Sequence, residues 1–165
     1  MEILRIEHVY KEYGDKNNKV LALNDVNLSV NKGEFVAIVG FSGSGKTTLL
    51  NMMGALDRPS KGKIIVSGKN IDQMSEDERV LFRRRNIGFV FQSYNLISDL
   101  TAYENIILPI QADGEKVNEQ YLKDILHILK IENKMDSLPN EMSGGQQQRI
   151  AIARALITKP AIILA

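Results

Sequence analysis

Between Ile3 and Tyr10, the apolar residues Leu4, Ile6 and Val9 are set among charged and polar ones, and between Val20 and Val30 the residues Leu21, Leu23, Val26, Leu28 and Val30 mostly alternate with polar ones. A period near two predicts a pair of strands, each with one buried face. The polar stretch from Gly14 to Lys19 reads as the turn between them, and Asn31-Lys32-Gly33-Glu34 as a second turn. Phe35-Val36-Ala37-Ile38-Val39 then runs apolar without interruption and is rich in β-branched residues. That composition predicts a strand covered on both faces in a parallel sheet.

Downstream the period changes. Leu49, Leu50, Met53 and Leu56 recur at helical spacing and predict a helix over Thr47 to Leu56. Arg58-Pro59-Ser60-Lys61-Gly62 is turn chemistry, leading into a short strand at Lys63 to Ser67. Ser75 followed by Glu78 forms a capping box, which predicts a helix from Glu76 to Arg85. A buried-type strand follows at Ile87 to Phe91. From Tyr103 to Leu138 the pattern is helical, with Tyr121, Ile125, Ile128 and Leu129 on one stripe. Ser143 reads as the N-cap of a further helix that ends near Ile157, before Pro160, and Ala161 to Ala165 opens one more apolar strand. Neither an internal repeat nor a low-complexity tract interrupts the series. Strands alternating with helices predict an α/β fold: a parallel-sheet core, an N-terminal antiparallel β piece and a helical subdomain.

Composition narrows the chemistry. Lys plus Arg number 21 and Asp plus Glu number 20, a balance that argues against a generic nucleic-acid binder. The 165 residues include no Cys, which removes disulfides, thiolate metal sites and a cysteine nucleophile. His8 and His127 lack metal-ligand spacing and read as structural or surface residues. Met52, Met53 and Met74 read as packing residues. Arg83-Arg84-Arg85 ends a helix that Glu76, Asp77 and Glu78 begin, an arrangement that complements the helix dipole on a solvated face. No stretch approaches the roughly 18 apolar residues of a bilayer span, so a cytoplasmic location is expected, with any membrane connection made through a partner.

The densest motif is Gly40-Phe41-Ser42-Gly43-Ser44-Gly45-Lys46-Thr47, which fits the phosphate-loop pattern between a strand and a helix. Convergent backbone N–H groups and a helix N-terminus suit the oxygens of a phosphate. Lys46 can neutralise β- and γ-phosphates, and the Thr47 hydroxyl suits Mg²⁺. Gly40, Ser42, Gly43, Ser44, Gly45, Lys46, Thr47 and Thr48 are therefore the candidate nucleotide-binding residues. Ser143-Gly144-Gly145-Gln146 opens a second helix with a second anion-binding geometry. Two such helix ends in one chain suggest either two phosphates or one site shared between two copies.

Taken together and in this order, the phosphate loop, the single glutamine Gln92 after the strand at Ile87, and Met142-Ser143-Gly144-Gly145-Gln146 resemble the ATP-binding subunit of ABC transporters over the whole chain, with Met142 in place of the usual leucine. The resemblance implies ATP and Mg²⁺ as cofactors. It places an adenine-stacking aromatic at Tyr13, and Gln92 beside Mg²⁺ and the attacking water. Lys46 and Gln92 become the catalytic candidates, Thr47 and Gln92 the metal candidates. Ser143, Gly144, Gly145 and Gln146 would face the γ-phosphate on the loop of a second subunit in a head-to-tail dimer.

Finer marks, Leu56-Asp57-Arg58-Pro59-Ser60-Lys61-Gly62, Ile87-Gly88-Phe89-Val90-Phe91-Gln92, and Glu104-Asn105 before Leu108-Pro109, resemble the group with macrolide exporters, lipoprotein-releasing systems and antimicrobial-peptide transporters. The implied partners are a second ATP-binding subunit and a transmembrane permease, with no nucleic acid, and the implied place is the inner face of the membrane. The apolar side chains of Leu96, Ile97 and Leu100 are expected to form a permease-docking face.

The implied layout is one ATP-binding domain. Residues 1–92 hold the β piece and phosphate-loop core, 93–142 the helical subdomain, and 143–165 the signature helix and the start of a strand. In the family an aspartate and a glutamate follow that strand, so a chain ending at Ala165 is expected to be truncated and to bind ATP without hydrolysing it. Two other classes compete. An ABC-type ATPase of DNA repair would carry a long coiled coil where Gln92 and Ser143 stand only 51 positions apart, and ribosome-acting relatives usually join two such domains in one chain. An unrelated phosphate-loop kinase or GTPase would not need Ser143-Gly144-Gly145-Gln146.

Overall fold

The computed structural model describes residues 1–15 and 18–165. Positions 16 and 17 of the expected turn over 14–19 lie outside the described residues. The chain divides into two compact units, Met1–Arg83 and Arg84–Ala165.

In the first unit, β1 (Glu2–Tyr13) and β2 (Val20–Asn31) form an antiparallel pair, with Ile6 opposite Leu28 and Tyr13 opposite Val20. The ladder is irregular between Ile6 and Val9, where His8 takes φ 49° and Asp25 φ 50°. His8 Nδ1 and Asp25 Oδ1 lie 2.8 Å apart, and Asn27 Oδ1 accepts from the His8 N–H. His8 is thus a structural residue of a bulge. On the other edge of β1 lies β3 (Lys61–Val66), followed by the short β4 (Lys69–Asn70), giving a four-stranded sheet in the order β2-β1-β3-β4. Leu4, Ile6, Val9, Leu23, Ile64 and Val66 are buried, the inward face of the alternation. Helix α1 (Lys46–Met53) lies against β2 and β3 and buries Leu49, Met52 and Met53.

The segment Phe35–Val39 departs from the expected buried strand. It takes no strand conformation, and Phe35 and Val39 are 98% and 87% exposed. A strand exists only through its ladder, and no strand among the described residues pairs with this run. Its apolar composition is not matched by burial here.

Helix α2 (Glu76–Asn86) keeps the expected capping box, with Ser75 N–H donating to Glu78 and Glu78 N–H to Ser75 Oγ. In the second unit, β5 (Ile87–Phe89) pairs in parallel with β6 (Ile162–Leu164), Gly88 facing Ile163. The expected helical stretch Tyr103–Leu138 resolves into two helices, α3 (Ala102–Ala112) and α4 (Glu119–Leu129), followed by single turns at Glu132–Lys134 and Pro139–Glu141. The break falls at Gly114, whose φ of +69° ends the first helix, and at Asn118, whose side chain caps the second. Helix α5 (Gly144–Leu156) packs against α3, α4 and β5. Ile106, Ile107, Leu122, Ile125, Met142 and Ile150 are among the residues that close this core.

The arginine run is more engaged than a solvated face would be. Arg83 Nη1 donates to the Ala55 carbonyl, while Arg84 and Arg85 both reach the Asp113 carboxylate at 2.7 Å. Among the described residues no helix is long and apolar enough to cross a membrane.

Candidate functional site

The phosphate-loop residues lead directly into α1. Gly45 is the N-cap, with φ 87° and ψ 5°, and no side chain caps the helix. Its first N–H groups are thus left open to an anion. A Cβ on Gly45 would stand 2.4 Å from the Ala22 carbonyl oxygen, so β2 itself requires glycine there. Gly43 takes φ +78° with open space beside it, which suits close approach of a ligand to the backbone. Gly40, Ser42, Ser44 and Thr47 are exposed, and Thr48 is half-buried.

The Lys46 ammonium donates to the Gly40 and Phe41 carbonyls at 2.8 and 2.7 Å and lies 3.4 Å from Ser44 Oγ. It spans the mouth of the loop, where an incoming phosphate would compete for it. These residues fit a polyphosphate: an uncapped helix end, left-handed glycines and a cation within one loop. The Thr47 hydroxyl, exposed in the first turn of α1, is of the right type for Mg²⁺.

Tyr13 ends β1 with its side chain 41% exposed and its hydroxyl tied to Asp57. Partial burial and the Asp57 carboxylate both push the Tyr13 phenol above its ordinary value. Asp57 also accepts from Lys11 Nζ at 2.7 Å and from the Arg58 N–H. Partial burial opposes these bonds, yet they hold its carboxyl below the usual range. Asp57 entered the sequence reading only within the mark Leu56–Gly62; its part in holding Tyr13 depends on a contact that spacing does not reveal.

In the second unit, Gln92 is exposed just beyond β5. The strand stops at Phe89 rather than Phe91, although Val90 N–H still donates to Leu164. Ser143 caps α5 as its sequence position suggests: Gln146 N–H donates to Ser143 Oγ, and Ser143 N–H to Gln146 Oε1. Gly144 and Gly145 are exposed in that first turn. Each of the two side chains expected to meet a phosphate thus accepts from the other residue's backbone N–H within the chain.

Of the expected docking residues, Ile97 is exposed, while Leu96 packs on the helical core and Leu100 is half-buried. Of the three, Leu96 is the one packed against the helical core. Asn105, fully buried, holds the loop from below: its Oδ1 accepts from Ile97 N–H and its Nδ2 donates to the Ile97, Leu100 and Thr101 carbonyls. A hollow of about 190 Å³, lined by residues such as Glu2, Arg5, Ile65 and Asn70, contains no phosphate-loop residue.

A profile of the family described as ABC transporter matches residues 23–165. The chain is 44% identical over 168 residues to the lipoprotein-releasing system ATP-binding protein LolD of Colwellia psychrerythraea, covering 99% of this chain and 64% of that protein. It is 51% identical over 145 residues to the macrolide export ATP-binding/permease protein MacB of Campylobacter jejuni, covering 87% of this chain and 23% of that one. The solved dimeric structure of the ATP-binding cassette MJ0796, in a post-hydrolysis state bound to ADP and Pi, superposes with a TM-score of 0.87 at 44% identity. That match covers 99% of this chain and 73% of the cassette.

Proposed function

The chain belongs to the family of ABC transporter ATP-binding proteins, and from that premise we propose that these 165 residues bind ATP, and that the natural protein couples ATP binding and hydrolysis to export through a membrane permease. The observation that carries the reading is the helix end at Gly45: uncapped, entered through left-handed glycines, and attended by the Lys46 ammonium. ATP would lay its phosphates on residues 40–48, with the Tyr13 ring against adenine. Mg²⁺ bound at Thr47 and Gln92 would supply positive charge to the phosphate oxygens. Lys46 would leave the Gly40 and Phe41 carbonyls for the β- and γ-phosphates.

The signature residues would act on a second copy. Ser143, Gly144, Gly145 and Gln146 of one subunit would face the γ-phosphate on the loop of the other, so that two nucleotides close a head-to-tail dimer. The dimeric state of the MJ0796 cassette supports this arrangement. We take residues 1–165 as one ATP-binding domain with its helical part at 93–142, held by the permease at the inner face of the membrane. The export-type names of the relatives favour a transporter over a nucleic-acid or ribosome ATPase.

Ser143→Arg tests the shared site, because a guanidinium projecting from the helix entry would block the partner's nucleotide but leave the chain's own loop intact. In the natural protein, ATP affinity should stay within about two-fold while ATP-dependent dimerisation in light scattering and ATPase activity are lost. Normal ATP-driven dimerisation of Ser143→Arg would contradict the reading.

A further inference from the structure

The turn that follows Gln92 is held in a conformation that Tyr94 does not favour. Tyr94 and Asn95 take φ 61° and φ 47° in succession, a left-handed backbone that crowds Cβ of any L side chain. Asparagine tolerates this region, but a tyrosine keeps it only where its surroundings impose it. Part of the restraint is local: Tyr94 N–H donates to Phe91 O, Asn95 N–H to Ser93 O, and Ser93 Oγ lies 2.8 Å from Asn95 Oδ1.

The rest comes from α5. Arg154, on the third turn of that helix, donates Nη2 to the Tyr94 carbonyl and Nη1 to the Asn95 carbonyl, both at 2.6 Å. One planar guanidinium thus grips two consecutive carbonyls from two separate nitrogens, a rigid fork that the single ammonium nitrogen of a lysine at this position would lack. The side chain emerges between the buried Ala153 and Ala155, and burial holds it below its ordinary pKa. No carboxylate lies within ion-pair distance of it among the described residues. A half-buried arginine without a carboxylate partner is costly unless its donors are satisfied, and here Nη1 and Nη2 each donate to one strained turn.

Two further contacts seat the same region on α5. A Cβ placed on Gly144, the first residue of that helix, would come 3.3 Å from the Tyr94 hydroxyl. A Cβ on Gly88 of β5 would come 2.5 Å from the Ala155 carbonyl oxygen. Gln92 therefore stands between a strand and a turn that both rest on the helix opened by Ser143.

We propose that Arg154 is a positioning residue for Gln92: its fork locks the Tyr94–Asn95 turn onto the signature helix, so that where this helix stands decides where Gln92 stands. The inference rests on the reading of Gln92 as a residue that acts on the nucleotide. Arg154 would act through the turn it holds.

Steady-state ATP hydrolysis by the natural full-length protein tests it. Arg154→Gln should lower kcat at least ten-fold while KM and the ATP dissociation constant stay within two-fold. Arg154→Lys, which keeps the charge and loses the fork, should move the same way and decides the matter if Arg154→Gln does not fold. Adding Asn95→Gly to either variant should restore kcat at least three-fold, because glycine takes the left-handed angle without the fork. Adding Arg154→Lys to Gln92→Ala should cost nothing further. Multiplying losses in that double variant, absence of glycine rescue, or unchanged kcat in Arg154→Lys would overturn the proposal alone. Unchanged kcat in Gln92→Ala would overturn the reading of Gln92 and the proposal with it.

Discussion

The hydroxyl of Tyr13 donates to Asp57 Oδ2 at 2.9 Å, joining residues 44 positions apart. Lys11 completes the group, with its ammonium 2.7 Å from Asp57 Oδ1 and 4.8 Å from the centre of the Tyr13 ring. The ring is fixed at the end of β1 with part of its surface free, a posture suited to receiving a flat base.

Separating the ring from its hydroxyl tests that role. Tyr13→Phe keeps the π face and drops the bond to Asp57, so ATP affinity should stay within about two-fold. Tyr13→Ala removes the stacking surface, worth about 1–3 kcal/mol per base, and should weaken ATP by roughly five-fold or more in fluorescence titration. Equal losses in both variants would assign the effect to the Asp57 contact instead.

Asn105 gives the second expectation. Its side chain is wholly buried and makes four hydrogen bonds to the backbone of residues 97–101. Asn105→Ala would strand the Ile97 N–H and carbonyls of the loop, at about 2–3 kcal/mol. Urea unfolding of the natural protein should show that loss in the midpoint, with an unchanged slope.

Legibility followed the range of the interactions. The caps at Ser75 and Ser143 and the alternation in β1 and β2 depend on neighbours a few residues away, and both were readable as patterns. Gly114 and Asn118, which divide α3 from α4, carried the ordinary stop and start signals, but the apolar stripe through Tyr121 and Ile125 masked them. Phe35–Val39 has strand composition, yet composition cannot supply a ladder partner. Tyr94 gave no sign of left-handed backbone, because part of what holds its turn is Arg154, 59 and 60 positions away from the two carbonyls it grips. The phosphate loop was legible because its chemistry needs consecutive residues; the hold on Tyr13 was not, because Lys11 and Asp57 meet only through the fold.

Acid sensitivity should trace in part to Asp113. Its carboxyl is held below the ordinary value first by Arg85 and then by Arg84. A depressed carboxylate stabilises the folded state above its unfolded pKa of roughly 3.9, and the contribution is lost as pH falls through the lower folded value. Asp113→Asn should therefore reduce stability at neutral pH and flatten its decline below about pH 4. Parallel acid-denaturation curves for the two proteins, displaced by a constant amount through that range, would contradict this.

Calorimetric titration of ATP into the natural protein and its Lys46→Ala variant tests the nucleotide site most directly. Among the described residues the hydrogen bonds of the Lys46 ammonium all go to the loop, so the variant should keep its fold by circular dichroism. Removing a charged partner of the phosphates should cost about 1.5–3 kcal/mol, or roughly ten- to a hundred-fold in affinity. Equal ATP affinity in the two folded proteins would show that the loop at 40–48 does not hold the nucleotide.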